Sequence, residues 1–185
     1  MVNPKFIAIA AITLDGRIAK GPKHNSSWTS KEDKVFMRAL LDTCDLVIVG
    51  NNTYQTAIKP LSKRNCLVFS RSLPPLPVGE GRGEGAVKKS DKLLYCNPSK
   101  IDVKKLIAKL KYKKVAILGG AQTYAYCLKN NLLDELYLTI EPLVFGQGIS
   151  LFGDTVLNNK FKLASIKKLN NKGTVLLKYV KSQIR

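Results

Sequence analysis

Two adjacent glycines, Gly119 and Gly120, separate an apolar run from a helical pattern in the stretch AILGGAQTYAYCL. Bare amides at the start of a helix, together with the positive end of the helix dipole, form a binding site for an anion such as phosphate. The alternative interpretation is that the glycines only allow a strand and a helix to pack closely. This stretch alone favours neither interpretation.

Three other apolar runs also end in small or anion-binding residues. These residues are Leu14, Asp15 and Gly16 in the first run, Gly50, Asn51, Asn52 and Thr53 in the second, and Ser70 and Arg71 in the third. A hydroxyl beside a guanidinium suits a phosphate monoester. Because ligands of open α/β sheets bind at the carboxyl ends of the strands, the four ends together predict one crevice for a long polyphosphate ligand.

Such a crevice needs parallel strands that end at one edge of a sheet. Short apolar runs bounded by turn residues predict buried strands at 6–12, 46–49, 67–69, 93–95 and 115–118. Helical spacing predicts helices after the capping-box pattern at 29–32, after Asp102, and over 121–128. The segments DELYLTI, FKLASIKKL and TVLLKYV predict further strands. The result is an α/β fold whose mostly parallel sheet has antiparallel C-terminal strands.

The chain of 185 residues has the length and composition of one globular domain, with 45% hydrophobic and 24% charged residues. We therefore predict a single domain over residues 1–185. Residues 73–90 include a segment rich in proline and glycine. Its glycines do not fit the pattern G-x-G-x-x-G, and no helical pattern follows immediately. This segment is predicted to be a surface insertion.

Composition limits the partners and the compartment. The net charge is +18, but the lysines are spread along the chain without a dense block interleaved with aromatics. That spread argues against nucleic acid as the main partner, and an anionic cofactor or substrate suits the charge equally well. No apolar run approaches the roughly 20 residues of a membrane span. The run FIAIAAITL leads into a turn rather than a cleavage site, so we expect a cytoplasmic protein.

The four cysteines lie far apart and within or beside apolar segments. The sequence has no C-x-x-C pair, and His24 is its one histidine. We therefore predict no metal site and no redox motif. Free, buried thiols are the expected state of these cysteines in a reducing compartment.

Several motifs in order along the chain resemble the dihydrofolate reductase superfamily. Within it, the chain is most similar to the C-terminal reductase domain of riboflavin-biosynthesis enzymes, the RibD C-terminal domain. The motifs are ITLDGRIA, SSWTSKED, CDLVIVGNNTY, VFSRS, AILGGAQTY and LLDELYLTIEPLVFGQGISLF. The resemblance implies a three-layer αβα fold of the dihydrofolate reductase type, NADPH as the cofactor, and a homodimer with the C-terminal strands as candidate contacts.

The resemblance also implies which residues meet the ligands. The residues expected around NADPH are Gly50, Asn51, Thr53, Ser70, Arg71, Gly119, Gly120, Ala121, Gln122 and Thr123. Asp15 and Asp33 are expected to be catalytic. Substrate contacts are expected from Ser27, Trp28, Ser30 and Lys59. For Asp33 an alternative stays open, because a carboxylate in the first turn of a helix is favoured by the helix dipole anyway.

The leading functional hypothesis is an NADPH-dependent reductase of a phosphoribosylamino-pyrimidine, as in riboflavin biosynthesis. The sequence departs from that family where an Asp-Asp-Pro segment usually helps to hold the substrate, because this region reads QTAIKPLSKRN. Trp28 together with Asp33 favours the alternative of a folate or pterin reductase. The third hypothesis, from another class, is a basic nucleic-acid-binding protein on the same fold.

Overall fold

The computed structural model describes residues 3–74, 86–156 and 158–182. The strands are β1 Lys5–Thr13, β2 Arg17–Ala19, β3 Leu46–Gly50, β4 Cys66–Phe69, β5 Ala86–Ser90, β6 Leu93–Cys96, β7 Lys114–Ile117, β8 Glu135–Glu141, β9 Ile149–Ser150, β10 Phe161–Lys168 and β11 Val175–Lys181. The helices are α1 Lys31–Asp42, α2 Asn51–Thr56, α3 Ile58–Leu61, α4 Val103–Lys109 and α5 Ala121–Lys129, with a 3-10 turn at Ser26–Trp28.

Nine of the described strands form one sheet in the order β10-β11-β8-β1-β7-β3-β4-β6-β5. The six strands from β8 to β6 in that order are parallel, β5 is antiparallel at one edge, and β11 and β10 are antiparallel at the other. This arrangement confirms the predicted mixed, mostly parallel sheet with antiparallel C-terminal strands. It also brings the carboxyl ends of β1, β3, β4 and β7 to one edge.

The sheet is covered on both faces, as the near-continuous apolar runs of its central strands require. Alternate residues of β1 point to opposite faces, so Phe6 belongs to one buried cluster and Ile7 to the other. The cluster around Phe6 includes Ile107 of α4 and Leu128 of α5. The cluster around Ile7 includes Leu41 of α1, with further contributions from α2 and α3. Helices, sheet and helices therefore form three layers.

Two boundaries differ from the sequence prediction. The N-cap of α1 is Ser30, whose side chain accepts a hydrogen bond from the Asp33 amide, so the cap lies one residue after the start of the predicted pattern at 29–32. The segment predicted as an insertion, 73–90, includes β5, which forms a hairpin with β6. The composition of β5, AVKKS, has little hydrophobic signal, because edge strands need not be apolar. Residues 75–85 of that segment lie outside the described residues.

The four cysteines are free, as predicted. Burial raises the pKa of Cys66 to about 11 and that of Cys96 to about 12, so both are neutral thiols at physiological pH. Within the described ranges, no helix combines the length and the apolar character that crossing a membrane would need.

Candidate active site

Two helices begin side by side where β3 and β7 end. Gly50 is the N-cap of α2 and Gly120 is the N-cap of α5, and neither helix has a side-chain hydrogen bond at its cap. The Gly50 amide donates to the Gly119 carbonyl at 2.9 Å, which joins the two strand ends. The first-turn amides of both helices are thus available to an anion at one place. We call Gly50, Gly119 and Gly120 the glycine seam.

The three glycines of the seam have different reasons to lack a side chain. A Cβ on Gly50 would lie 2.8 Å from Thr123 Oγ1, and a Cβ on Gly119 would lie 2.7 Å from the Tyr124 ring. Gly119 also has a φ of +93°, whereas Gly120 has a φ of −72° that any residue adopts. The nearest atom to a Cβ on Gly120 is Thr53 Oγ1, at an ordinary 3.5 Å. Close packing therefore explains Gly50 and Gly119 but not Gly120.

The space beside Gly120 favours the interpretation that the sequence analysis links to an anion, because packing does not account for this glycine. Among the described residues that are not its neighbours in the chain, no atom lies closer than 3.5 Å to a Cβ at Gly120, so the bare position leaves the α5 amides accessible to a ligand. The remaining residues predicted for this site surround it: Asn51 and Thr53 lie in the first turn of α2, and Ala121, Gln122 and Thr123 lie in the first turn of α5. Gly153, in the loop after β9, packs against the Ala121 side chain at 3.9 Å.

Ser70 and Arg71 follow β4, the strand next to β3. Phe69 pairs with Gly50 in register, so the turn after β4 begins beside the glycine seam. The Ser70 amide donates to the Cys96 carbonyl, and the Asn97 side chain donates to the Arg71 carbonyl at 3.0 Å. These bonds fix the backbone of the turn, while the Arg71 side chain is exposed. The guanidinium is therefore free to meet a ligand that extends from the seam.

A different kind of site lies at the end of β8. Asp33, in the first turn of α1, is 6% exposed, and Glu141, the last residue of β8, is 3% exposed. Loss of solvation raises the pKa of Asp33, and the neighbouring charge of Glu141 raises it further. Hydrogen bonds from Thr139 and Thr29 act in the opposite direction. We call Asp33 and Glu141 the acid pair.

Glu141 is fully bonded. Its Oε1 accepts from the Ser30 amide at 2.7 Å, and its Oε2 accepts from the Thr174 hydroxyl at 2.7 Å. Neither Glu141 nor Thr139 was predicted as a site residue from the sequence. The available signal was an acidic residue at the end of the apolar strand ELYLTIE, where burial would require partners.

An aromatic cluster joins the segment before α1 to the loop after β8. Trp28 and His24 both meet the Phe145 ring edge-on, with centroid distances of 5.1 and 5.4 Å. The ammonium group of Lys20 lies 5.2 Å from the same ring. The indole nitrogen of Trp28 is buried and has no hydrogen-bond partner among the described residues. A buried donor without an acceptor is uncommon, so this nitrogen stands out among the side chains of the cluster.

Asp15 holds the loop that carries Phe145. Its carboxylate accepts from the Thr13 hydroxyl at 2.5 Å, the Gly146 amide at 2.8 Å and the Phe145 amide at 3.1 Å. These donors, the Thr13 hydroxyl first, hold the pKa of Asp15 below its ordinary value. Asp15 is thus ionised at neutral pH and occupied by structural contacts. Its predicted catalytic role stays a prediction.

The remaining predicted substrate residues are distributed unevenly. Ser30 touches the acid pair directly. Ser27 is exposed, and its carbonyl accepts from the Lys34 ammonium at 3.3 Å. Lys59 is exposed on α3, and no described contact joins it to the acid pair or to the glycine seam. The structure therefore brings Trp28, Ser30 and Asp33 to one region and leaves Lys59 apart from them.

Comparison with known proteins identifies relatives over nearly the whole chain. The profile of the RibD C-terminal domain family matches residues 4–175. The uncharacterized protein YwjB of Bacillus subtilis (strain 168) is 26% identical over 189 residues, which cover 96% of this chain and 98% of YwjB.

Solved structures share the fold at lower identity. A pyrimidine reductase-like protein from Corynebacterium diphtheriae matches with a TM-score of 0.75 and 17% identity, covering 98% of this chain and 93% of its own. Dihydrofolate reductase from Enterococcus faecalis, solved in complex with NADP(H), matches with a TM-score of 0.68 and 18% identity, covering 98% and 99%. The chain belongs to the RibD C-terminal domain family and has the dihydrofolate reductase-like fold that its motifs predicted.

Proposed function

We propose that the protein is an NADPH-dependent reductase whose substrate is a phosphoribosylamino-pyrimidine of the kind used in riboflavin biosynthesis. The observation that supports this proposal most strongly is the glycine seam. Two sets of first-turn amides meet beside an unobstructed Gly120, which suits the pyrophosphate of a dinucleotide. Membership in the RibD C-terminal domain family supports the same class of reaction.

The residues of the site suit distinct parts of the cofactor. The amides at the starts of α2 and α5 would hold the pyrophosphate, and Ser70 with Arg71 would hold the 2′-phosphate of the adenosine ribose. NADPH supplies the hydride when bound. The protein supplies orientation, the aromatic side chains of Trp28 and Phe145, and at Asp33 a carboxyl group whose raised pKa allows it to hold a proton closer to neutral pH.

A fluorescence titration with NADPH and NADH tests the cofactor, and a panel of substrates tests the reaction. We expect micromolar or tighter binding of NADPH, weaker binding of NADH, and NADPH oxidation with an aminopyrimidine ribotide. Absence of NADPH binding at millimolar concentration would refute the proposal as a whole. Binding of NADPH without turnover of any pyrimidine ribotide would refute only the substrate.

The acid pair favours a second candidate, a pterin reductase. A buried carboxyl group at Asp33 and, five positions earlier in the chain, an indole nitrogen without a partner among the described residues suit a heterocycle that presents both donors and acceptors along one edge. Tight binding of methotrexate, together with reduction of dihydrofolate and no reaction with pyrimidine ribotides, would support this candidate. The opposite pattern supports the first proposal.

We also propose that the protein forms a homodimer through the β10–β11 edge of the sheet. Leu163, Ile166 and Val180 are exposed on these two strands, with exposed fractions of 42, 63 and 37%. Apolar side chains on an edge hairpin favour association with another chain. Light scattering after size exclusion tests the proposal: we expect twice the mass of the 20.5 kDa chain. Replacing Ile166 with Lys should then yield monomers, and a wild-type monomer at micromolar concentration would contradict it.

A further inference from the structure

The cap of helix α1 departs from the usual reciprocal arrangement. In a capping box, the N-cap side chain accepts from the backbone of the third helical residue, whose own carboxyl group accepts from the N-cap amide. Here the first half is present, because Ser30 Oγ accepts from the Asp33 amide at 3.2 Å. The second half is not, because the Ser30 amide donates to Glu141 instead, at 2.7 Å.

The Glu141 side chain is held in the position from which it accepts the hydrogen bond of the Ser30 amide. It is the last residue of β8, it is 3% exposed, and its second oxygen accepts from Thr174 at 2.7 Å. Thr174 is itself fixed by Asn170, whose side chain both donates to its hydroxyl and accepts from its amide. The acceptor for the Ser30 amide therefore comes from the sheet, 111 positions along the chain, and not from the helix itself.

Because Glu141 accepts from the Ser30 amide, the Asp33 carboxyl group is not needed for the helix cap. An aspartate at the third helical position would ordinarily accept a hydrogen bond from the N-cap amide. Its charge would also be stabilised by the positive end of the helix dipole. Asp33 is instead buried, with 6% of its surface exposed. The groups whose hydrogen bonds or charges act on its carboxyl group are Thr139 and Glu141 of β8, Tyr124 of α5, and Thr29 and Lys34 at the start of α1.

We infer that Glu141 is a positioning residue, which takes over the cap of α1 and thereby leaves the Asp33 carboxyl group available to the substrate. The inference deepens the proposed function, on which it rests for the identity of the substrate pocket. The negative charge of Glu141 also affects the Asp33 carboxyl group directly. A like charge beside Asp33 favours the protonated form of its carboxyl group, as desolvation does.

Two substitutions separate position from charge. Glu141→Ala removes the acceptor, so Asp33 should turn back and accept from the Ser30 amide. Glu141→Gln keeps an acceptor for Ser30 but removes the charge. Glu32→Gln is the matched control, because Glu32 lies in the same helical turn but is exposed, and glutamine keeps an oxygen that can accept from Asn170, the residue that fixes Thr174.

The measurement is an NMR titration of the carboxyl carbon of Asp33 together with the Ser30 amide, without cofactor or substrate. In Glu141→Ala, we expect the titration midpoint of the Asp33 carboxyl carbon at lower pH than in the wild type. The chemical shift of the Ser30 amide should change with the same midpoint. In Glu141→Gln, the midpoint should also fall, but the Ser30 amide should not follow it. Glu32→Gln should leave both signals as in the wild type.

Turnover gives the second readout. Glu141→Ala should lower kcat by about a hundredfold, as expected for a displaced reacting group, and Glu141→Gln should restore most of the loss. If Glu141→Ala does not fold, Glu141→Ser replaces it, because the shorter polar side chain also removes the carboxylate that accepts from the Ser30 amide.

The inference would be overturned if the Asp33 titration midpoint in the Ala or Ser variant equals that of the wild type and the Ser30 amide shift does not change as Asp33 titrates. That result would leave the proposed function intact, because the titration needs neither NADPH nor substrate. Conversely, absence of NADPH binding would remove the proposed function without affecting the titration.

Discussion

The glycine seam and the acid pair lie at the same edge of the sheet but are built in opposite ways. The seam offers backbone amides, and its glycines keep side chains away from them. The acid pair offers buried side chains, and every oxygen of Glu141 has a donor from another element. The seam is formed by β3, α2, β7 and α5, whereas the acid pair is formed by α1 and β8.

This difference separates two tasks. Backbone amides with a helix dipole bind any phosphate at low specificity, because they recognise charge and shape. Buried carboxyl groups, by contrast, require a partner with matching donors, because an unpaired polar group in such a pocket is unfavourable. We therefore propose that the seam binds the cofactor and that the acid pair selects the substrate. The predictions below test whether changes in one region leave the other unaffected.

The largest effect is expected from Asp33→Asn. Loss of the acidic group should lower turnover by about 100- to 10,000-fold, the usual contribution of a positioned acid or base. NADPH affinity should stay within about threefold, because the amides that would hold its phosphates are those of α2 and α5. Stopped-flow turnover and a cofactor titration of the same variant measure both. A parallel loss of cofactor affinity would contradict the separation of the two regions.

The same substitution should stabilise the fold at neutral pH. Burial raises the pKa of Asp33 above its ordinary 3.8, so ionising it weakens the native state. The protonated Asp33 carboxyl group makes its full contribution to stability below pH 3.8, the ordinary pKa. That contribution is lost as the pH rises through the higher pKa that Asp33 has in the folded protein. Asp33→Asn should therefore have a higher free energy of unfolding than the wild type at pH 7, and the difference should vanish near pH 3. Urea unfolding at both pH values checks the sign.

The next largest effect is expected in the seam, where Gly120→Val should lower NADPH affinity by at least about a hundredfold. A branched side chain would stand between the α5 amides and the phosphates, and losing two charge-assisted contacts accounts for that factor. The melting temperature without cofactor should stay near that of the wild type, because a Cβ at Gly120 has ordinary contacts. Differential scanning fluorimetry with and without NADPH measures both.

Gly119→Ala is the matched control for that experiment. A side chain there meets the Tyr124 ring and requires a φ of +93°, so we expect a loss of about 1–3 kcal/mol in the free energy of unfolding. If Gly120→Val also melts early and still gains normal stabilisation from NADPH, the seam serves packing and the cofactor binds elsewhere.

The seam could be predicted from the sequence because its parts are local. A strand, one or two glycines and a helix follow one another within about ten residues, and the rule that parallel strands end at one edge brings such turns together. The different roles of Gly119 and Gly120 could not be predicted. They depend on φ and on the position of the Tyr124 ring, neither of which leaves a pattern in the sequence.

The acid pair could be predicted only in part. The resemblance that places Trp28 at the substrate also places Asp33 there, but the sequence does not choose between a site residue and a carboxylate favoured by the helix dipole. The environment of Asp33 depends on the partner of the Ser30 amide. That partner is Glu141, which is remote in sequence and adjacent only through the parallel pairing of β8 with β1. The edge strand β5 was missed for a related reason, because pairing with β6 is a tertiary contact rather than a local preference.

A smaller effect should distinguish the two cofactors. Arg71→Ala should weaken NADPH binding by about 1.5–3 kcal/mol, the range for a hydrogen bond with a charged group. NADH lacks the 2′-phosphate, so its affinity should change little, and it serves as the internal control. The Arg71 carbonyl, not its side chain, is the atom that Asn97 holds, so the turn should survive the substitution. Equal losses for both cofactors would show that Arg71 does not recognise the 2′-phosphate.

The smallest effect is expected from deleting residues 74–85, which tests whether the cofactor region extends beyond Arg71. In the described part of the chain, Phe69 and Ala86 both pair with Cys96, from opposite sides of β6. They are therefore two strand spacings apart, roughly 10 Å. Residues 70–73 can span this distance, because an extended chain covers roughly 3.3 Å per residue.

Loop-closure entropy changes by only about 0.6 kcal/mol for each doubling of loop length, so the deletion should alter the free energy of unfolding by about 1 kcal/mol or less. NADPH affinity should stay within about threefold, because Ser70 and Arg71 keep their contacts with Cys96 and Asn97. A variant with a short Gly-Ser linker in place of 74–85 controls for strain in the shortened turn. If the linker variant folds normally but binds NADPH at least tenfold more weakly, residues 74–85 contribute to the cofactor region, and the glycine seam is only part of it.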